Sequence, residues 1–230
     1  MTEFLESSVF FGVVLTLAGY GVGALLKKKL RLAIFNPILI GALLCIGVLL
    51  LTGVDYETYR SGAQYISYLL TPATVCLAIP LYRQLNLLKR YPLAILLGIT
   101  AGVLTSLSTI LALSALMGLD HASYVTLLPK SITTAIGIGV SEELGGYVSL
   151  TAVVIIITGV LGNILAGGVC KLFRITEPVA RGVAIGTASH AIGTSKAMEM
   201  GQVEGAMSGL SIVVSGLLTV VGASVFAQFL

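Results

Sequence analysis

Six stretches of this chain, roughly 7–26, 34–52, 62–82, 92–117, 147–170 and 205–229, are each apolar for about the twenty residues that a helix needs to cross a bilayer. That pattern limits the fold more than any other feature. Only 10% of the 230 residues are charged and 57% are hydrophobic, with a mean hydropathy of +1.04. A soluble domain carries about a quarter charged residues, and this chain could not cover its surface without lipid. The expected fold is an all-α integral membrane protein with about six transmembrane helices. No polar stretch is long enough for a second domain, so residues 1–230 read as a single polytopic membrane domain.

The N-terminus does not read as a cleavable signal. Glu3 and Glu6 stand where a positive region would be, and the apolar run ends at Lys27-Lys28-Lys29. Cys45, Cys76 and Cys170 lie in apolar surroundings without CxxC spacing, which excludes a disulfide frame or a zinc site. The net charge of +3 sits in short basic clusters, which suits topology signals and not a nucleic-acid surface.

Two further segments, 122–141 and 179–198, are apolar enough for membrane depth but too polar and Gly-rich for plain spans. The clusters Lys27–Arg31, Arg83–Arg90 and Lys171–Arg181 all fall in the cytoplasm by the positive-inside rule only if both segments enter and leave on one face. Segment 122–141 is then re-entrant or broken from outside, and 179–198 from the cytoplasm. Both termini are expected to be periplasmic, in a bacterial inner membrane. A weak internal repeat, Tyr68-Leu69-Leu70-Thr71-Pro72-Ala73-Thr74 against Thr126-Leu127-Leu128-Pro129-Lys130-Ser131-Ile132-Thr133, places a Pro and hydroxyls inside apolar runs. Proline frees backbone carbonyls that must find protein or water at that depth. Paired interruptions of this kind point to a transporter site, with possible inverted repeats.

The first candidate site is Lys130, Ser131, Thr133 and Thr134. A lysine at mid-membrane costs about 2.5–3.5 kcal/mol on insertion scales, so it faces a cavity or a partner. Beside a half-helix start and hydroxyls it forms a cradle for a carboxylate. The plainer alternative is a lysine that snorkels to an interface while the threonines bond carbonyls. The second candidate is Ser189, His190, Gly193 and Thr194, within Gly186–Lys196, where small and polar residues alternate. His190 alone is more often structural, and Lys196 is equally a flanking charge. Thr71 and Thr74 could complete the site, or merely mark a kinked helix. Asn36-Pro37 reads as a helix start. Asn163 reads as interhelical glue. Glu142, Glu143, Glu199 and Glu204 read as end-of-segment charges in water. There is no Walker A loop, HExxH or Cys/His array, no buried Asp/Glu pair, and no nucleophile–base–acid set. No cofactor or metal and no enzymatic activity are expected.

At these same positions the sequence resembles the LrgB/CidB family. The likeness rests on Asn36–Ile40, Leu70–Tyr82, Leu128–Thr134, Gly186–Thr194, Glu199-Met200-Gly201 and Glu204-Gly205-Ala206, and it runs over nearly the whole chain. One departure is Ala135-Ile136, where many relatives carry a Pro after the paired threonines. The resemblance implies a small LrgA/CidA-type membrane protein as partner. It also implies one of two roles. The first is secondary transport of small monocarboxylates (glycolate, glycerate, lactate or pyruvate) by alternating access, with the Lys130 and His190 segments facing each other. The alternative is a holin/antiholin-like regulator of murein hydrolases and lysis. A homodimer embedded in lipid is expected.

Overall fold

The computed structural model describes residues 10–30, 35–69, 72, 76, 79, 82 and 85–230. The described residues are mostly helical, with no strand among them. The chain divides into two compact units, Met1–Cys76 and Leu77–Leu230.

The first unit holds α1 (Phe11–Leu30), α2 (Pro37–Thr52) and α3 (Tyr56–Ser67). Helix α1 runs on through the three lysines that were expected to follow it. Lysine is a good helix former, and its long stem lets the charge leave the apolar layer. Helix α2 begins as its sequence predicts, with the Asn36 side chain accepting from Ile38 N at 2.8 Å and Pro37 in the first turn. It ends at Gly53, whose φ of 69° places it in the left-handed region that glycine adopts without strain. The helices approach at glycines. A Cβ on Gly19 would stand 3.1 Å from the Gly41 carbonyl, and one on Gly12 would strike the backbone at Tyr59. Small residues at crossings are how helices gain contact in lipid, where no hydrophobic force acts between them. Thr16 and Tyr59 add a hydroxyl pair at 2.8 Å. The third expected span, 62–82, is described only over 62–69, the first of them in α3, and at 72, 76, 79 and 82.

The second unit contains α4 (Leu85–Arg90), α5 (Pro92–Met117), α6 (His121–Leu127), α7 (Thr134–Glu143), α8 (Val148–Leu172), α9 (Pro178–Met200) and α10 (Gln202–Phe226), then a 3-10 turn at Ala227–Phe229. Helices α1, α5, α8 and α10 with its 3-10 extension are long and apolar enough to cross a membrane; α2 is apolar but shorter. On α5 one buried stripe, Ile95, Ile99, Val103, Leu107 and Ile110, follows the helical period. It packs against Val183 of α9 and Ala206, Met207 and Ala223 of α10.

Segment 121–143 is a helical hairpin. After α6 the chain turns through 128–133, with Lys130 N bonded to Leu127 O and Ile132 N to Pro129 O. Helix α7 then packs against α8, which α6 also touches. A Cβ on Gly137 would meet Pro129 at 3.4 Å. Thr151 Oγ1 of α8 stands 3.1 Å from Thr126 O of α6 and 2.6 Å from Ser141 Oγ of α7, in hydrogen-bonding reach of both. Residues 126 and 141 therefore lie together, so the chain between them doubles back on itself.

Helix α9 reverses as well. At His190 the backbone takes φ 42° and ψ −142°. A straight helix would hold Gly182 and Met198 about 24 Å apart. Instead both reach one short stretch of α10: a Cβ on Gly182 would meet Met207 Cβ at 2.7 Å, and one on Gly205 would meet Met198 Cγ at 2.9 Å. Residues 178–189 and 191–200 are thus two legs of a second hairpin, with its tip near His190.

Candidate functional site

The two hairpins enter from opposite ends of α5 and their tips meet near its middle. At the first tip Ser131 Oγ lies 3.4 Å from Ser106 Oγ of α5. At the second, Thr187 presses its methyl on Gly102, one turn away along α5, where an added Cβ would be 2.8 Å from Thr187 Cγ2. On α8 a single residue serves both. The Ile155 side chain packs on Gly137 of the first hairpin, and its carbonyl accepts from His190 Nε2 at 3.0 Å.

Between α5, the first tip and the first leg of α9 lies a cavity of about 950 Å³. Lys130 and Ser131 line its inner end with Ser106, Thr109 and Thr187. Lys130 Nζ donates to Ser131 Oγ at 2.9 Å. No carboxylate among the described residues stands within ion-pair distance of that ammonium. The Thr187 side chain is 7% exposed, and its hydroxyl has no hydrogen-bond partner among the described residues. The opposite end is bounded by Tyr91, Ile175 and Glu177, next to the basic residues Arg90, Arg174 and Arg181. A cation with the Ser131 and Ser106 hydroxyls at one end of a mostly apolar cavity can hold a small anion.

The remaining residues of the second candidate group lie behind the tip and outside the cavity wall. Ser189 is buried against Gly162 of α8, and Gly193 packs on Ser189 and Ile185. Thr194 Oγ1 donates to His190 O at 2.9 Å and pairs with Ser208 Oγ of α10 at 2.7 Å. His190 is buried on α8, and its carbonyl bond means that Nε2 carries a proton. Asn163 does act as glue, donating to Ile192 O at 2.8 Å and Ser195 Oγ at 2.9 Å. Carbonyls freed by a reversal at membrane depth need protein donors, and Asn163 supplies one. Thr133 and Thr134 start α7, half-buried and outside the cavity lining. Thr71 and Thr74 lie outside the described residues.

One expectation is corrected. Glu204 is not a solvated end charge: it is 6% exposed and faces Arg181 Nη1 at 3.9 Å. The reversal of α9 brings its first leg over the start of α10, which covers the carboxylate. Arg181 is fixed in turn by donating from Nε to Ile175 O at 2.7 Å. Lys196, by contrast, pairs with Glu199 at 3.0 Å near the surface. Sequence reasoning did not single out Ser106 or Thr187 as site residues. The signal was the small-residue spacing Gly98, Gly102, Ser106 on α5, which marks one helix face held open to a neighbour.

The fold and the site define an all-α integral membrane protein with two opposed re-entrant hairpins around a lysine-bearing cavity. The chain belongs to the LrgB-like family, which it matches over residues 16–229. It is similar to the antiholin-like protein LrgB of Bacillus cereus (strain B4264) and to that of Bacillus anthracis (strain A0248). Each is 37% identical over 222 residues, covering 96% of this chain and 96% of the relative. No solved structure matches this chain.

Proposed function

We propose that this chain is a secondary carrier of small monocarboxylates, of the glycolate, glycerate, lactate or pyruvate kind, working by alternating access in a bacterial inner membrane. One observation carries the reading: Lys130, without a carboxylate partner among the described residues, lies with Ser131 at the inner end of a cavity where two re-entrant tips meet. The carboxylate would take Lys130, and Ser131 and Ser106 would bond its substituent. Ser189, His190, Gly193 and Thr194 would seat the second tip on α8 and α10, so that the hairpin moves as one piece. Thr133 and Thr134, and Thr71 and Thr74, are proposed to join the site in another state of the cycle. By the positive-inside rule the cavity opens to the cytoplasm and both termini are periplasmic. We propose a small LrgA/CidA-type membrane protein as partner, a homodimer as the working form, and no enzymatic step or cofactor.

The second reading is an antiholin-like regulator of lysis. The names of the relatives favour it more directly than they favour transport. It requires association with a membrane partner and no flux.

Reconstituted liposomes separate the two. Protein with and without its small partner would be offered labelled glycolate and pyruvate under sodium, proton and product gradients. Saturable uptake that is lost in Lys130→Ala supports the carrier. Absence of any saturable flux, with altered autolysis in cells lacking the protein, leaves the regulator.

A further inference from the structure

Side-chain hydrogen bonds tie the second unit together unevenly. Thr151 of α8 reaches both legs of the first hairpin, at Thr126 O and Ser141 Oγ. Tyr124 of that hairpin donates to Phe226 O of α10 at 2.9 Å. The second hairpin is held to α8 through Asn163 and His190, and to α10 through the Thr194–Ser208 pair. Both hairpins, α8 and α10 are thereby bonded into one body, and α5 stands outside it. Among the described residues, α5 side chains meet that body through one polar contact, the loose 3.4 Å between Ser106 and Ser131. The α5 stripe from Ile95 to Ile110 packs on it through apolar side chains, which meet small residues of α10 at Ala206, Gly222 and Ala223. At membrane depth a broken hydrogen bond must be replaced by another protein group, whereas apolar surfaces exchange neighbours at little cost.

The face of α5 that meets the second hairpin is smooth and periodic. Gly98, Gly102 and Ser106 stand four residues apart, as do Val183 and Thr187 of α9. Val183 lies on Gly98 and Thr187 on Gly102, so the two helices run the same way in matched register. An advance of four residues, about 6 Å, restores that register with Val183 on Gly102 and Thr187 on Ser106. The Thr187 hydroxyl, now buried without a partner, gains Ser106 by that step. Resting on the carrier reading, we propose that alternating access is a one-turn slip of the bonded body, both hairpins with α8 and α10, along α5. The slip takes Ser131 off Ser106 and carries Lys130 toward the turn that bears Thr109. Thr187 is a positioning residue for the slip and touches no substrate.

The test uses engineered disulfides in the full chain without its native thiols, reconstituted in liposomes with labelled glycolate and pyruvate. A Cβ on Gly102 lies 3.6 Å from Thr187 Cβ, and one on Gly205 lies 3.6 Å from Met198 Cβ. Both separations fall in the range of about 3.5–4.5 Å that a disulfide bridges. Gly102→Cys with Thr187→Cys spans the seam, whereas Gly205→Cys with Met198→Cys joins α9 to α10 inside the body. Oxidation should stop flux in the first pair, reversibly with reductant, and leave the second at its reduced rate. Ser106→Cys with Thr187→Cys should link faster with substrate than without it, a gel readout that needs no activity. Thr187→Val removes the hydroxyl that gains from the slip, so flux should fall about fivefold or more. Glycolate binding should be unchanged in that variant, and Thr187→Ser should restore the rate. Flux that persists when the first pair is fully linked overturns the seam and leaves the carrier reading intact. Loss of flux on linking the second pair overturns the single body. No substrate-dependent Ser106–Thr187 link, or Thr187→Val at the wild-type rate, overturns the one-turn step. Wild-type protein without Lys130-dependent flux overturns the carrier, and the inference with it.

Discussion

Gly186 shows how little tolerance some single positions have. A Cβ there would strike the Ser208 backbone, which cannot rotate away as a side chain can. Gly186→Ala should cost about 1–3 kcal/mol by overpacking, whereas Gly21→Ala, with nothing within 4 Å, should be neutral or mildly stabilising. Thermal unfolding in one detergent compares them directly. Asn36 carries a different load. Its side chain satisfies two amide donors at the start of α2, so Asn36→Ala should cost about 1 kcal/mol in the same assay. Asp120 does this for α6, and its hydrogen bond with Ser123 holds its carboxyl below the usual carboxylate range. A lowered folded value stabilises above the unfolded value, and the gain is lost as pH falls through the folded one. Melting of wild type and Asp120→Ala should therefore differ at neutral pH and converge at strongly acidic pH.

At the scale of the element, the second hairpin depends on Arg181 and Glu204. The pair joins its first leg to α10, and Glu204 is the more enclosed member. Removing Arg181 leaves a covered carboxylate unpaired. Arg181→Leu should cost about 1–2 kcal/mol, less than a fully buried pair because the arginine side chain is 30% exposed. The double variant with Glu204→Met should cost less than the sum of the two single changes, measured as a double-mutant cycle. That contact was not legible in the sequence. Periodicity and charge marked 179–198 as an unusual segment, but they do not say which residue bends it. The bend falls at His190. Histidine tolerates positive φ better than most side chains, but no pattern in the sequence marks it, and Asn163 and Ile155 of α8 hold the bend there. Segment 122–141 was easier, since Pro129 and Lys130 announce the break in their own chemistry. The spacing of Gly98, Gly102 and Ser106 marks a face on α5, but a linear reading does not say that Thr187 packs on it.

For the whole molecule, the distribution of Lys and Arg predicts which ends share a compartment, and the hairpins make that prediction sharp. Single-cysteine variants Glu143→Cys and Arg174→Cys lie on exposed positions at opposite ends of α8. In a background without native thiols, an impermeant maleimide should label Glu143→Cys in intact cells and Arg174→Cys only after permeabilisation. Labelling of both from one side would mean that α8 does not cross. The same count of apolar runs and basic clusters made membrane residence legible from composition alone. It could not show how close two segments far apart in sequence come at the middle of α5. That closeness has an electrical consequence. Were water to follow both hairpins inward, the insulating layer would thin to about one helical turn between Gly102 and Ser106. The transmembrane voltage, worth about 2.3 kcal/mol per elementary charge per 100 mV, would then fall mainly across that thin septum. An anion stepping past the tips would perform nearly all of its electrical work there, so net flux would register as current.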